Sequence, residues 1–341
     1  MNLSLMSMRD IKRHFNSWVG MSLLAGASLA ASMAQAQELT PVRLRLDWTT
    51  LGYHAPFYYG AAKGIYEKAG IKLEIEEGKG SASVTQLAAS GADDFGFADA
   101  TTVAQLVAKG LPAKVVMGVL RGTTIAMFYA DGRGINAATD MKGRKISVCP
   151  GDAISVYIPA YFKSVGIDAA TVEQFPVDCS LKYTVVAQGR ADGVMTYATA
   201  GKPLLQKVGI KEPGRFKAGS DFYLPSHGIV ASEKMIKEKP EVVRRFVAAT
   251  AQAWAAAMKD PDGAVDAIIA ARPLLKGDAA TIKETFVTSL DFLDSPSTKG
   301  KAFGYQSPED WQKALDILQE YAGMPKTVKA DAIYTNAFVA P

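Results

Sequence analysis

Short strand-like runs alternate with helical patterns along this chain, and halfway through the alternation starts again. Residues 42–48 (VRLRLDW) alternate apolar and charged, and 56–69 then read as a helix with Pro56 in its first turn and Gly70 at its end. Residues 72–76 form a second strand, 81–90 a second helix, 95–98 a third strand and 101–109 a third helix. Residues 113–120 and 125–130 are further strands. After Gly143 the order repeats, with strands at 145–149, 172–177 and 193–196 and helices at 154–165 and 181–188. Such βαβ order builds a mostly parallel sheet covered by helices on both faces. An internal echo accompanies it: Ala89-Ser90-Gly91-Ala92-Asp93-Asp94 resembles Ala187-Gln188-Gly189-Arg190-Ala191-Asp192, each a helix end closed by Gly and leading through Asp into a buried strand. The fold class read from this is α/β, as two similar Rossmann-like lobes with a ligand cleft between them.

From Ser232 onward the chain turns helical. Ser232 and Pro240 open helices, residues 263–271 and 310–321 give two more, and Ser307-Pro308-Glu309-Asp310 looks like a capping box. Trp254 and Trp311 fall at helical spacing and read as core. This tail is expected to pack on the first lobe. The expected organisation is residues 37–131 with 232–341 as lobe 1 and 132–231 as lobe 2.

The amino terminus has a different character. Arg9, Lys12 and Arg13 precede an apolar run at 18–31, and Ala34-Gln35-Ala36 gives the small-x-small pattern of a signal-peptidase site. Residues 1–36 are therefore read as a secretory signal; an apolar run of roughly 14 residues is short for a membrane span. No Cys stands at the cleavage site for a lipid. Of the formal charge of +4, three basic residues against Asp10 place +2 in that segment, and +2 remains on the other 305 residues. So near-neutral a chain shows no basic patch for nucleic acid in its totals.

Enzyme signatures are sparse. There is no GxSxG, no HExxH and no phosphate loop ending in Gly-Lys-Ser/Thr, and beyond residue 36 the only histidines are His54 and His227. No catalytic residue, metal or cofactor is expected. Polar and aromatic residues do gather at strand ends, where open α/β sheets bind ligands. Asp47, Trp48, Tyr53 and His54 follow the first strand, Gly80 and Ser81 the second, Asp99 the third and Arg121 the fourth. The second unit offers Cys149, Gly151, Asp152 and Ser155, then Cys179, then Tyr197, and His227 completes the set. Each has a plainer reading: Asp152 caps a helix, Gly80-Ser81 forms a turn, and Arg121 pairs with a carboxylate rather than holding an anionic ligand. Trp48 beside Tyr53, His54 and an acid suits a planar, nitrogen-bearing ligand that stacks on rings and donates to Asp47, Asp99 or Asp152. Cys149 and Cys179 end adjacent strands of one lobe, which leaves both a disulfide and two buried thiols open.

These residues resemble the periplasmic substrate-binding proteins of ABC importers, in the branch related to thiamine-pyrimidine synthase and to the nitrate, sulfonate and taurine receptors. Leu46-Asp47-Trp48-Thr49 through His54, then Lys63-Gly64-Ile65-Tyr66-Glu67-Lys68-Ala69-Gly70-Ile71, are similar to that branch's opening. Residues 86–91, Asp94-Phe95-Gly96 and Lys142-Gly143-Arg144-Lys145-Ile146 also match. The resemblance implies a type II-like binding-protein fold with the second lobe inserted in the first, hinge closure on a small-molecule ligand, delivery to a membrane permease, and a monomer in the periplasm. It carries ring stacking and polar recognition over to Asp47, Trp48, His54 and Tyr197. Thr49-Thr50-Leu51-Gly52 departs from the Pro-Asn pair of the pyrimidine-precursor receptors, which leaves other small heterocycles, aromatic acids and sulfonate- or nitrate-like ligands open. The synthase's cysteine-rich motif is absent, while a synthase-type enzyme using His54 or His227 is the alternative of a different class.

Overall fold

The computed structural model describes residues 38–150, 152 and 154–339, so the segment read as a signal lies outside the described residues. Ten strands follow in chain order: β1 (Thr40–Arg45), β2 (Ile71–Glu76), β3 (Phe95–Asp99), β4 (Ala113–Gly118), β5 (Ile125–Tyr129), β6 (Lys145–Val148), β7 (Glu173–Pro176), β8 (Gly193–Tyr197), β9 (Gly214–Lys217) and β10 (His227–Ser232). They form two five-stranded sheets, ordered β2-β1-β3-β10-β4 and β7-β6-β8-β5-β9. β1 is parallel to β2 and β3, and β6 is parallel to β7 and β8. β10 runs antiparallel between β3 and β4, and β5 antiparallel between β8 and β9. Two mixed sheets with helices around them make up the fold of the periplasmic binding proteins.

The antiparallel strands correct two assignments. β5, read from sequence as part of the first lobe, hydrogen-bonds into the second sheet, and β10, read as the end of the second lobe, lies in the centre of the first. Each is the first strand after the chain passes from one sheet to the other, through residues 119–124 and 218–226. A buried apolar run looks the same in sequence whichever sheet receives it, so periodicity does not register the exchange.

The internal echo has a structural cause. Gly91 and Gly189 close their helices in the left-handed region, at φ of 78° and 77°, which glycine adopts without a Cβ penalty. The Asp94 N–H then donates to the Arg43 carbonyl at 3.1 Å while its carboxylate accepts the Arg43 N–H at 2.9 Å. Asp192 does the same to Lys145, at 2.7 and 2.9 Å. In both halves, a two-bond bracket from this Asp fixes where the central strand starts relative to its neighbour, and so where the opposite strand ends fall.

The helical tail was expected on the first lobe, and it reaches further: helix Ala279–Leu290 also meets helix Ala198–Lys207, and helix Pro308–Tyr321 meets both helix Ala100–Ala108 and helix Ile158–Ser164. Helices Pro240–Ala257 and Pro261–Ala271 cover helix Ala55–Ala62, with Phe95 stacked on Phe246 at 4.1 Å and Trp254 fully buried. Trp311 is likewise buried, stacked on Tyr334 at 5.3 Å. Helix Ala279–Leu290, which lacked a clear sequence signal, presses on Gly52–His54, where a Cβ on Gly52 would lie 1.8 Å from the Ile282 carbonyl oxygen. The Gly52 N–H donates to Thr285 Oγ1 at 2.8 Å, so this helix holds the backbone that carries Tyr53 and His54. Among the described residues no helix is long and apolar enough to cross a membrane.

Candidate functional site

β1 ends at Arg45, before the predicted limit at Trp48, because the chain bends there: the Asp47 carbonyl accepts the Gly80 N–H at 2.7 Å and the Trp48 carbonyl accepts that of Gly78 at 3.3 Å. The bend turns the Asp47 side chain inward, where it is buried, and leaves Trp48 51% exposed. Three donors converge on Asp47. His54 Nε2 lies 2.6 Å from Oδ1, and His227 Nε2 and the Tyr53 hydroxyl each lie 3.1 Å from Oδ2. The Leu51 N–H donates to His54 Nδ1 at 3.0 Å, so the His54 proton sits on Nε2 and is given to Asp47.

The rings around this carboxylate pack closely. Tyr53 and His54 have centroids 4.2 Å apart, Phe97 stacks under His227 at 5.2 Å, and Tyr197 meets the His227 ring edge-on at 5.4 Å. Burial by itself raises the Asp47 carboxyl, but the His227 charge and the hydrogen bonds from His227 and His54 outweigh it and hold the group well below the ordinary carboxylate range. Burial works against a charge on His227, yet Asp47 and then Asp99 outweigh it and raise this imidazole above its ordinary value. The Tyr53 and Tyr197 phenols are pushed far up by burial and then by the adjacent carboxylates, so both remain donors.

Asp99 caps helix Ala100–Ala108, accepting Thr102 N–H at 2.9 Å and the Thr101 hydroxyl at 2.5 Å on Oδ1. Among the described residues its Oδ2 accepts only from Tyr197 Oη, at 3.4 Å, at the end of β8 in the other sheet. Ser81 Oγ accepts the Asp99 N–H at 2.9 Å and so joins the β2 and β3 ends. The structure thus brings Asp47, Tyr53, His54, Gly80, Ser81, Asp99, Tyr197 and His227 to one place, with Trp48 at its rim.

On the second sheet Asp152 takes the plainer of its two roles. Oδ1 accepts the Ser155 N–H and hydroxyl, both at 2.7 Å, and Oδ2 lies 3.4 Å from Lys182 Nζ. Ser155 Oγ also lies 3.2 Å from the Cys149 carbonyl. Gly151 lies outside the described residues. Cys149 and Cys179 are joined in a disulfide, which ties the β6 end to the turn carrying Lys182 and Tyr183. Closing a loop with a sequence separation of 30 restricts the unfolded chain by about 3.6 kcal/mol. Reduction, or the Cys149→Ala/Cys179→Ala pair, should lower chemical stability by about that amount; equal denaturation curves with and without reductant would contradict it.

Arg121 corrects its expected ligand role. The guanidinium is buried and points away to a later loop: Nε donates to the Leu293 carbonyl at 2.7 Å, Nη1 to those of Ala302 and Tyr305 at 2.9 and 3.3 Å, and Nη2 to Asp294 at 2.7 Å. It clamps residues 293–305 to the first crossing. In sequence a strand-end arginine looks alike whether it faces a ligand or a loop some 170 residues on.

Sequence reasoning missed Phe97, Tyr157, Lys182 and Tyr183. The Tyr157 hydroxyl donates to Thr101 at 3.1 Å across the sheets, and Tyr183 Oη lies 2.9 Å from Thr196 Oγ1 at the end of β8. Tyr183 falls inside the helix expected at 181–188; the structure starts that helix at Thr184, which leaves Tyr183 on the connection after β7, where the strand-end rule applies.

The family model described as NMT1/THI5 like matches residues 52–264. The chain is 26% identical over 321 residues to the riboflavin-binding protein RibY of Chloroflexus aurantiacus, covering 92% of this chain and 91% of that one. It is 23% identical over 313 residues, 86% of each chain, to the 4-amino-5-hydroxymethyl-2-methylpyrimidine phosphate synthase THI12 of Saccharomyces cerevisiae. Among solved structures, the periplasmic aliphatic sulphonate binding protein SsuA of Escherichia coli superposes with a TM-score of 0.66 at 14% identity, over 87% of this chain and 98% of that one. At that identity the likeness is one of fold.

Proposed function

The chain belongs to the NMT1/THI5-like family, and we propose from that premise that it is a periplasmic receptor which binds a planar, nitrogen-bearing ring and delivers it to the membrane permease of an ABC importer. The observation that carries this reading is the chemistry of the cleft. Its first-lobe wall presents the Asp47 and Asp99 carboxylates among aromatic rings, while Arg121, the guanidinium that could have held a sulfonate or nitrate, is consumed by backbone carbonyls. Such a wall favours a ligand that donates hydrogen bonds and stacks, and disfavours an anion.

On this reading the two crossings bound the lobes, with β1–β4, β10 and the helical tail in one and β5–β9 in the other. Closure about residues 119–124 and 218–226 brings Tyr183 and Tyr197 against the Asp47 wall. A ring entering between Trp48 and these tyrosines replaces the long Tyr197–Asp99 contact with an N–H donated to Asp99. The relative named as a riboflavin-binding protein supports a flavin, and those named as pyrimidine phosphate synthases support a pyrimidine, as the ring to try first.

Binding without conversion is also part of the reading. A synthase that used a histidine would need a ring nitrogen free to reach its substrate. Here both nitrogens of His54 are engaged, by Leu51 and Asp47, and both of His227, by Ser226 and Asp47. Calorimetric titration with riboflavin tests the proposal. Trp48→Ala should weaken binding by ~1 kcal/mol, about fivefold, since stacking on an exposed indole contributes about that much. Unchanged affinity would remove Trp48 from the site, and recovery of a converted ligand after incubation would replace the receptor by an enzyme.

A further inference from the structure

The two crossings meet at a pair of hydroxyls. Thr124, the last residue before β5, and Ser226, the last before β10, lie with Oγ1 and Oγ 2.7 Å apart. Each also receives a helix start: the Ser226 carbonyl accepts the Ala100 N–H and the Thr124 carbonyl accepts the Ala198 N–H, both at 2.6 Å. Ala100 opens a first-lobe helix just after Asp99, and Ala198 a second-lobe helix just after Tyr197. The hinge hydroxyls and the cleft contact Tyr197–Asp99 therefore sit on the same two backbones.

His227 joins this pair to the binding wall. Its Nδ1 lies 2.8 Å from Ser226 Oγ and its Nε2 3.1 Å from Asp47 Oδ2. We propose that proton uptake by His227 couples the hinge to the cleft, so that the ligand-free protein is closed at low pH and opens as the pH rises. In the neutral ring Nδ1 accepts from the Ser226 hydroxyl, and Thr124 donates to Ser226. When Nδ1 takes a proton from solvent it becomes the donor, Ser226 turns its hydrogen to Thr124, and both bonds of the chain reverse. The buried imidazolium then faces Asp47, Tyr53 and Asp99 from the first lobe and the Tyr197 ring from the second, with His54 on the far side of Asp47. Across the small cavity behind it lie Arg121, Tyr223 and Asp310, of which Arg121 is neutralised by Asp294.

Closure takes water from around the imidazolium and its two carboxylates; the lost solvation disfavours the charge, but the attraction to Asp47 and Asp99 strengthens as the local dielectric falls and outweighs it. Opening solvates all three and returns His227 toward its ordinary value near 6.5. The closed form thus holds the proton more tightly, in line with the raised value found for it. By linkage the stabilisation of closure is complete below about pH 6.5 and is lost as the pH rises through the closed-state value.

The test needs no ligand. Small-angle scattering of the ligand-free chain lacking residues 1–36, from about pH 5.5 to about pH 8.5, should show the radius of gyration rising with pH. Its midpoint should coincide with the titration of the His227 ring followed by NMR, where His54 supplies the only other histidine signal. His227→Gln should flatten the scattering profile, and Thr124→Val should flatten it while His227 still titrates. A radius independent of pH in the unsubstituted protein, a scattering midpoint apart from the His227 midpoint, or a pH-dependent radius in His227→Gln would each overturn the proposal. The midpoint comparison stands on the unsubstituted protein even if a variant does not fold.

Discussion

Arg121→Ala should cost about 3 to 5 kcal/mol of folding stability, since hydrogen bonds to a charged group contribute about 1.5 to 3 kcal/mol each and several are lost at once. The guanidinium side chain is only 5% exposed, and its loss leaves the Leu293 and Tyr305 carbonyls without their side-chain donor, while the Ala302 carbonyl keeps the Tyr305 N–H and the half-exposed Asp294 keeps the Thr298 hydroxyl. Arg121→Lys restores charge without the fork that reaches four acceptors. Thermal denaturation should show a midpoint lowered by on the order of 10 °C, and what remains folded should bind its ring ligand as before. Near-normal stability combined with lost ligand affinity would return Arg121 to the ligand wall and reopen the anionic ligands.

Asp47→Ala is expected to lower stability by a comparable amount, about 3 to 5 kcal/mol, and in contrast to Arg121 it should also abolish ring binding. Three buried donors, on His54, His227 and Tyr53, lose their acceptor at once. The pH dependence identifies the cause. The Asp47 value is depressed in the folded protein, so its contribution is present above the ordinary carboxylate value near 3.9 and is lost only as the pH falls through the folded value. His227 is raised, so its contribution is complete below about 6.5 and is lost as the pH rises through its folded value. The unsubstituted protein should therefore gain stability over Asp47→Ala most clearly in the interval between those limits, near pH 5. Urea denaturation of the two proteins across that range measures the gain; a difference that does not change with pH would contradict the paired charges.

How much of this was legible in the chain follows from the range of the interactions involved. The βαβ order, the helix ends at Gly91 and Gly189 and the buried Trp254 and Trp311 depend on local periodicity and backbone conformation, which a sequence displays. The Asp-Trp segment was legible for the same reason: Asp47, Tyr53 and His54 lie within one turn of chain. The destination of β5 and β10 was not, because it is set by pairing with strands distant in sequence, β8 and β9 for the one and β3 and β4 for the other. Arg121 failed for a similar reason. Its acceptors are 172 to 184 residues away, and only the fold tells a clamp from a ligand contact. His227 was named as a strand-end residue, yet its link through Ser226 to Thr124, 102 residues earlier, required the crossings to be laid side by side.

The central claim is that the cleft of this NMT1/THI5-like chain reads a planar, hydrogen-bond-donating ring and not an anion. Isothermal titration calorimetry of one preparation against riboflavin, a 4-aminopyrimidine, an alkanesulfonate and nitrate tests it most directly. The account predicts saturable one-to-one heat with a ring ligand, weakened in Trp48→Ala, and none with the sulfonate or nitrate. Saturable binding of either anion, with no heat from the rings, would contradict it.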